Sequence, residues 1–388
     1  MTRRWAALVA LLGVLTTLTA SAAGGGPAFS EAQRQTILSL GPWPPTPAPD
    51  PGNAASGRAA AIAYGQRLFS DPRLSAAGRM SCATCHQPAR AFTDGLARAV
   101  GRVPLDRHTP SLWNVAHQRW QGWDGAADSL WSQSLRALIA TDEMAATAPA
   151  VSARVRGDTA LRRAHVAAFG ALPTAGRGDE ALLVQVAKAL GAYVATLQSP
   201  RTPFDDFRDA LAGGDAVAAA RYPAAAQRGL QLFVDRGRCV LCHGGPAFSH
   251  GEFADIGARH FVRPGVVDPG RHGGLRALQA SRYNLLSRWA DRLDAMDIAV
   301  ATRHVQAQPR NFGEFKVPML RGVADTPPYL HDGQLATLED VVRHYAELNL
   351  DRLHADGEQI LVPLRLTPGE SADLVAFLRS LSADAARR

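Results

Sequence analysis

Cys82-Ala83-Thr84-Cys85-His86 and Cys239-Val240-Leu241-Cys242-His243 are two copies of C-x-x-C-H in one chain of 388 residues, and between them they hold all four of its cysteines. Each copy carries the signature of covalent haem c attachment. The two thiols form thioethers with the haem vinyl groups, and the adjoining imidazole takes the iron on its proximal side. Two alternatives stand beside this reading. Four cysteines in an oxidising compartment would by default form two disulfides, and a lone C-x-x-C can be a redox dithiol or half of a zinc site. The His at the fifth position of both copies favours haem over either.

The sequence around the first copy recurs around the second, which makes an internal repeat the widest feature of the chain. Gly65-Gln66-Arg67-Leu68-Phe69-Ser70-Asp71 precedes one site and Gly229-Leu230-Gln231-Leu232-Phe233-Val234-Asp235 the other, both G-x-x-L-F-x-D after an Ala-rich helical stretch. Downstream of the first come Pro110-Ser111-Leu112-Trp113-Asn114-Val115-Ala116, Trp123-Asp124-Gly125 and Ser129-Leu130. Pro318-Met319-Leu320-Arg321-Gly322-Val323-Ala324, His331-Asp332-Gly333 and Thr337-Leu338 answer them at matching intervals. The segment after each D-G reads as a helix. Leu338, Val341, Val342 and Tyr345 share one helical face, with Thr337 or Ala336 near its start, and Leu130, Gln133, Ser134 and Ala137 form the equivalent face. Strand patterns are weak throughout. The expected fold is mainly α, two cytochrome c-like haem domains related by internal duplication, over residues 58–200 and 201–388 with the boundary near Ser199 to Pro203.

Met1-Thr2-Arg3-Arg4, an apolar run from Trp5 to about Leu18, and Ala20-Ser21-Ala22 read together as a secretory signal over residues 1–22. The rival, a retained membrane anchor, is disfavoured because the run is shorter than the ~20 residues that span a bilayer. No later segment is apolar enough to span one. The expectation is an exported, periplasmic protein without stable membrane insertion once the signal is cleaved. Residues 23–57, rich in Pro, Gly and Ala from Pro42 to Ser56, read as an extended leader, with regular structure beginning at Arg58. The formal charge of +7 could suggest an acidic partner, yet 40 of the 42 basic residues are Arg, and only Lys188 and Lys316 are Lys. That bias looks like codon usage, so no nucleic-acid partner is inferred.

A haem iron with protein ligands on both faces transfers electrons, whereas an open distal face admits peroxide. The phenol of Tyr345 can ligate ferric iron, and Ala137 at the equivalent position cannot. Tyr345 can equally be a core tyrosine. His344 beside it is a rival ligand, about 100° round the helix and off the apolar stripe. Gln133 shares the face of Ala137, and Glu143 follows in Thr141-Asp142-Glu143-Met144. A peroxide-cleaving site needs a group that moves a proton between the two oxygens and polar groups that stabilise the departing one. Glu143 and Gln133 are the candidates; the bland alternative for both is a solvated surface.

At these residues the chain resembles the bacterial di-haem cytochrome c peroxidases, and among them the MauG-like and MbnH-type enzymes. The resemblance runs from Gly65 to Ala376-Phe377-Leu378 and rests on both C-x-x-C-H sites, Pro110-Ser111-Leu112-Trp113-Asn114, Trp123-Asp124-Gly125, Glu143-Met144 and Pro327-Pro328-Tyr329-Leu330-His331-Asp332-Gly333. It implies that Trp123 is an electron conduit between the haems, that Glu143 is the distal acid–base carboxylate and that Gln133 is the distal glutamine of MauG-like members. It further implies that Tyr345, fourteen residues after His331, is the second axial ligand of the C-terminal haem, where the peroxidases carry Met.

Two departures from the family pattern matter. Many of the peroxidases close the N-terminal haem with a distal His, whose counterpart here is near Val100; no His lies between His86 and His108, which implies an open first haem. The family often holds Ca²⁺ through an Asn side chain and the carbonyls of a T-x-P segment. Thr326 and Pro328 match that segment, but His108 stands at the Asn position, and imidazole is a poor ligand for a hard cation. The resemblance implies an enzyme in which hydrogen peroxide meets the iron above His86, Glu143 moves its proton, and one oxidising equivalent passes through Trp123 to the haem held by His243 and Tyr345. A partner protein would then be oxidised by long-range electron transfer. The alternative is a conventional peroxidase that draws electrons from a small cytochrome or cupredoxin. A non-catalytic electron-transfer cytochrome needs both irons closed, and Ala137 counts against it.

Overall fold

The computed structural model describes residues 27–383 except 47, 260, 292–295 and 358–359, so the segment read as a secretory signal lies outside the described residues. Regular structure begins before Arg58. Ser30 and Gln33 close a capping box, and helix α1 runs over Glu31–Ser39 behind it. Ile37 and Leu40 bury into the core of the C-terminal half, and the Trp43 indole donates to Ser199 O at 3.1 Å. The chain then crosses to the other half, where the Asn53 amide donates to Lys188 O at 2.9 Å. The expected extended leader is therefore a strap tied down at both ends. One capping box and two apolar side chains are too short a signal to stand out against the Pro-rich stretch that follows.

In the N-terminal half, α2 (Ala59–Phe69) and α3 (Leu130–Ile139) pack on α4 (Asp179–Val194). The C-terminal half holds α5 (Pro203–Gly213), α6 (Ala224–Val234), α7 (Leu338–Ala346) and α8 (Pro368–Ser380), with α6 on α8. A Cβ at Gly65 would stand 1.9 Å from Ala189 O, and one at Gly229 would stand 2.0 Å from Asp373 O. The glycine of each G-x-x-L-F motif is thus the point where two helices meet backbone to backbone. There are two main cores, one around Trp131, Leu135 and Leu190 that also takes in Tyr283, Leu285 and Ala290, and one around Phe204, Phe233, Phe248 and Phe377 that also takes in Ile37 and Leu40. Among the described residues, sheet is confined to two short antiparallel pairs, β1 (Phe253–Ala254) with β4 (Phe315–Lys316) and β2 (Phe261–Arg263) with β3 (Val266–Val267).

The helices after the two D-G turns start as their sequences suggest. Ser129 accepts from Ser132 N at the start of α3, and Thr337 accepts from Asp340 N at the start of α7. At the first of these the strap adds a second cap, because Asp50 accepts N–H bonds from Leu130 (2.8 Å) and Trp131 (3.1 Å). Burial outweighs these donors and holds the Asp50 carboxyl up at about 6. A carboxyl raised in the folded state binds its proton more tightly there than when unfolded, so its contribution is present below about pH 4 and is lost as pH rises through about 6. The stability difference between wild type and Asp50→Ala should therefore shrink by about 2 kcal/mol between pH 4 and pH 7 in denaturant melts. A difference that is constant across this range would show that Asp50 stays ionised.

The halves meet through reciprocal backbone bonds at equivalent positions of the repeat. His108 N donates to His331 O at 2.7 Å, and Lys316 N donates to Trp123 O at 2.8 Å. Arg107 fastens the same seam, pairing with Asp124 at 2.6 Å and with both carboxylate oxygens of Asp268. The D-G turns are thereby held by the opposite half, so both face the space between the two C-x-x-C-H segments.

Candidate active site

Cys82–Cys85 form a single helical turn capped by Ser81, and the second pair lies on the one-turn helix Cys239–Leu241 and its C-cap. No disulfide joins the four cysteines. Burial pushes Cys82 and Cys239 up to about 12 and Cys85 up to about 11. A redox dithiol needs the opposite, a thiol lowered towards neutrality. Nor do the described residues contain three or more His, Cys, Asp or Glu grouped to hold a metal ion, which leaves the zinc reading without ligands.

The two imidazoles are prepared in the same way. His86 Nδ1 lies 3.0 Å from Phe92 O, and His243 Nδ1 lies 3.0 Å from Phe248 O. Both phenylalanines have left-handed backbones, φ 60° and 55°, which is an uncommon conformation for a bulky side chain and is held here by the surrounding turn. The carbonyl so placed fixes the tautomer and leaves Nε2 as the lone-pair nitrogen, the arrangement usual for a metal-bound histidine. Burial lowers His86 and brings His243 down to about 4, so both rings are neutral.

One continuous cavity of about 1570 Å³ is lined by both Cys pairs and both histidines. It exceeds the ~300–1,000 Å³ of a single small-molecule site, in keeping with two large planar groups. Thiols, neutral imidazoles and cavity fit two covalently held haems.

Gln133 and Ala137 of α3 and Glu143 line the cavity, and the Glu143 charge acts on both Cys82 and Cys85. Burial raises the Glu143 carboxyl above its ordinary range, against the opposing field of Arg136. Gln133 Oε1 is buried without a hydrogen-bond partner. The Glu143 turn is gripped by the loop around Val100. Arg102 donates from its backbone to Asp142 O and from its guanidinium to Thr141 O, each at 2.7 Å, and a Cβ at Gly101 would lie 2.3 Å from Asp142 O.

Above the second site, Tyr345 of α7 lines the cavity, and burial raises its phenol above the ordinary range, with Cys239 and Cys242 adding to the rise. The neighbouring His344 is tied elsewhere, with Nε2 at 2.7 Å from Ile256 O. Trp123 lines the same cavity, and its indole N–H donates to His108 O at 2.8 Å.

Thr326, Pro328 and His108 also line the cavity. The Thr326 hydroxyl donates to Val323 O at 3.2 Å, and His108 Nδ1 is engaged with Leu96 O at 2.7 Å. The imidazole that stands in place of the Asn side chain, already engaged at Nδ1, does not suit a hard, oxygen-seeking cation. His108 therefore counts against calcium here.

Three cavity-lining residues carry no role in the sequence reading. His331 stacks on Phe315 at 3.4 Å between ring centroids, and its Nε2 is buried without a partner. Lys316 and Arg271 reach from the C-terminal half to the turn that carries Trp123. For His331 a signal existed, since it heads the H-D-G motif; for the two cations there was none beyond the rarity of lysine.

The family model for di-haem cytochrome c peroxidase matches residues 59–212. The cytochrome-c peroxidase IdrP2 of Pseudomonas sp. (strain SCT) is 31% identical over 96% of this chain and 91% of its own length. The methylamine utilization protein MauG of Methylorubrum extorquens is 34% identical over 84% of this chain and 79% of its own. Among solved structures, a MauG-like protein associated with microbial copper homeostasis superposes with a TM-score of 0.66 at 27% identity, covering 89% of this chain and 96% of that one.

Proposed function

This chain belongs to the di-haem cytochrome c peroxidase family, and from that premise we propose that it is a periplasmic, MauG-like oxidoreductase that uses hydrogen peroxide at an open first haem to oxidise a partner protein. The reading includes removal of residues 1–22 on export and covalent attachment of haem c through Cys82, Cys85, Cys239 and Cys242, with His86 and His243 as proximal ligands. It also includes two duplicated domains, 58–200 and 201–388. The reciprocal bonds of His108 and Lys316 and the matched helix contacts at Gly65 and Gly229 support the duplication.

When bound, the haems supply one iron that accepts peroxide and one that relays electrons. The protein does the rest. Glu143, raised by burial, takes the proton from one peroxide oxygen and returns it to the other. Gln133 offers its unpartnered Oε1 to orient the hydroxyl of the oxidant. Trp123 bridges the two sites from a position fixed by its bond to His108 O. Tyr345 closes the second site with a hard oxygen that favours higher oxidation states of iron, where a soft Met would favour the ferrous form. The substrate is oxidised at the surface and enters no pocket.

The observation that carries the reading is the difference between Ala137 and Tyr345, equivalent positions on two helices that face one cavity. Relatives named as peroxidases keep a second reading in view, in which a small cytochrome or cupredoxin supplies the electrons. Low-temperature electron spin resonance of the untreated ferric protein should show one high-spin and one low-spin haem. Two low-spin signals would overturn the open first site and point to a side chain such as His108 closing it.

A further inference from the structure

Lys316 lines the cavity, and among the described residues no acid forms an ion pair with its ammonium group. Its backbone pairs in β4, and its Nζ donates to Gln118 Oε1 at 2.5 Å and to Trp120 O at 3.1 Å. Both acceptors are neutral, and an ammonium has three N–H donors. Asp124, whose field reaches the lysine, is already engaged with Arg107 at 2.6 Å. The other charge close enough to act is Arg271, which opposes it. That guanidinium lies 3.9 Å from the Phe253 ring and 4.5 Å from the Trp120 ring and donates to Asp124 O and Gly125 O. Burial accordingly pushes the Lys316 amine down to about 7.

An enclosed cation with only neutral partners costs several kcal/mol, and the cost is offset when an anion comes within contact distance. The part of Lys316 that is not packed against protein faces the cavity. We propose that Lys316 is a carboxylate-binding residue whose third N–H takes a haem propionate at the boundary between the two sites. The assignment rests on the di-haem reading. Lys316 N also holds Trp123 O at 2.8 Å, so the charge pair sits on the same two-residue strand that fixes the conduit. Its formation would set the potential of the haem that supplies the propionate.

The test uses the full-length protein with haem incorporated, as wild type, Lys316→Met and Lys316→Arg. Pyridine haemochrome analysis first counts haems per chain; fewer than two in the wild type would defeat the di-haem reading itself. With two haems present, spectroelectrochemical titration at pH 7 reads the inference. Removing a cation beside a haem carboxylate stabilises the ferric state. Lys316→Met should therefore lower the reduced-to-oxidised ratio of one haem, at fixed ambient potential, at least about tenfold (~59 mV for one electron). Lys316→Arg should recover most of the shift. Potentials within about twofold of wild type for both haems would overturn the proposal. Added acetate should leave the wild type unmoved; a wild-type potential that follows acetate, lost in Lys316→Met, would assign the site to a free carboxylate and overturn the propionate. If the Met variant does not retain both haems, the propionate bending bands in resonance Raman spectra of wild type and Lys316→Arg decide. Unchanged bands between these two would count against contact.

Discussion

Replacing Glu143 by Gln should slow peroxide turnover by roughly 10²- to 10⁴-fold, the loss typical of a missing acid–base group, while both haems remain attached and peroxide still binds. The expectation follows from where the carboxylate sits. It lines the cavity beside the first Cys pair, on a turn whose backbone is fixed by Arg102 and Gly101, so the amide will occupy the same space without moving a proton. Burial raises the Glu143 carboxyl, and the sign follows directly: the ionised form that accepts the proton is lost as pH falls through a value above the ordinary carboxylate range. Wild-type turnover should thus have an acid limb that the Gln variant lacks. Stopped-flow measurement of peroxide consumption against pH checks both outcomes. A variant that keeps the wild-type rate would reassign Glu143 to the support of its loop.

Tyr345→Met should leave the second haem six-coordinate and low-spin but raise its reduction potential and prevent it from sharing an oxidising equivalent. Peroxide added to the diferric wild type should oxidise both haems without prior reduction; in the variant only the first should respond. The geometry makes Tyr345 the residue to change, because the rival His344 spends its Nε2 on Ile256 O. Ligation must also deprotonate a phenol that burial holds above its ordinary range, so an oxyanion at this position exists only with the metal in place. Optical titration with peroxide, monitored at both haems, reads the result. A Met variant that still oxidises both haems with wild-type yield would remove the main support for the MauG-like reading and leave the ordinary peroxidase.

What could be read from sequence and what could not divide along the range of the interactions. The two C-x-x-C-H segments and the caps at Ser129 and Thr337 act within a turn or two of chain, and their spacing announces them; the glycines at 65 and 229 act across helices, and only their recurrence in both G-x-x-L-F motifs marked them. Helical phase set Tyr345 on the apolar stripe and His344 off it but left a ligand and a core tyrosine equally open, and the carbonyl at Ile256 that engages His344 is something no local pattern reveals. Asp50 is similar: a carboxylate in a Pro-rich stretch caps α3 from far upstream. The strand that carries Lys316 reads as an unremarkable F-K-V-P, and only its pairing across the seam brings an ammonium to the Trp123 turn. The calcium question required both levels, the sequence to place His108 and the structure to show its ring already engaged.

The strap of residues 27–57 also fixes an order of assembly. Ile37 and Leu40 are made early, yet α1 packs on α5 and α6, the first of which begins only at Pro203. The first described stretch of chain to be synthesised therefore waits for the C-terminal half before it finds its seat. Asp50 and Asn53, by contrast, bind partners no further along than Lys188, so the inner end of the strap can dock on the N-terminal half while its outer end waits. Until α5 and α6 are made, α1 has no seat in the C-terminal half, and its closure ties the two halves into one molecule.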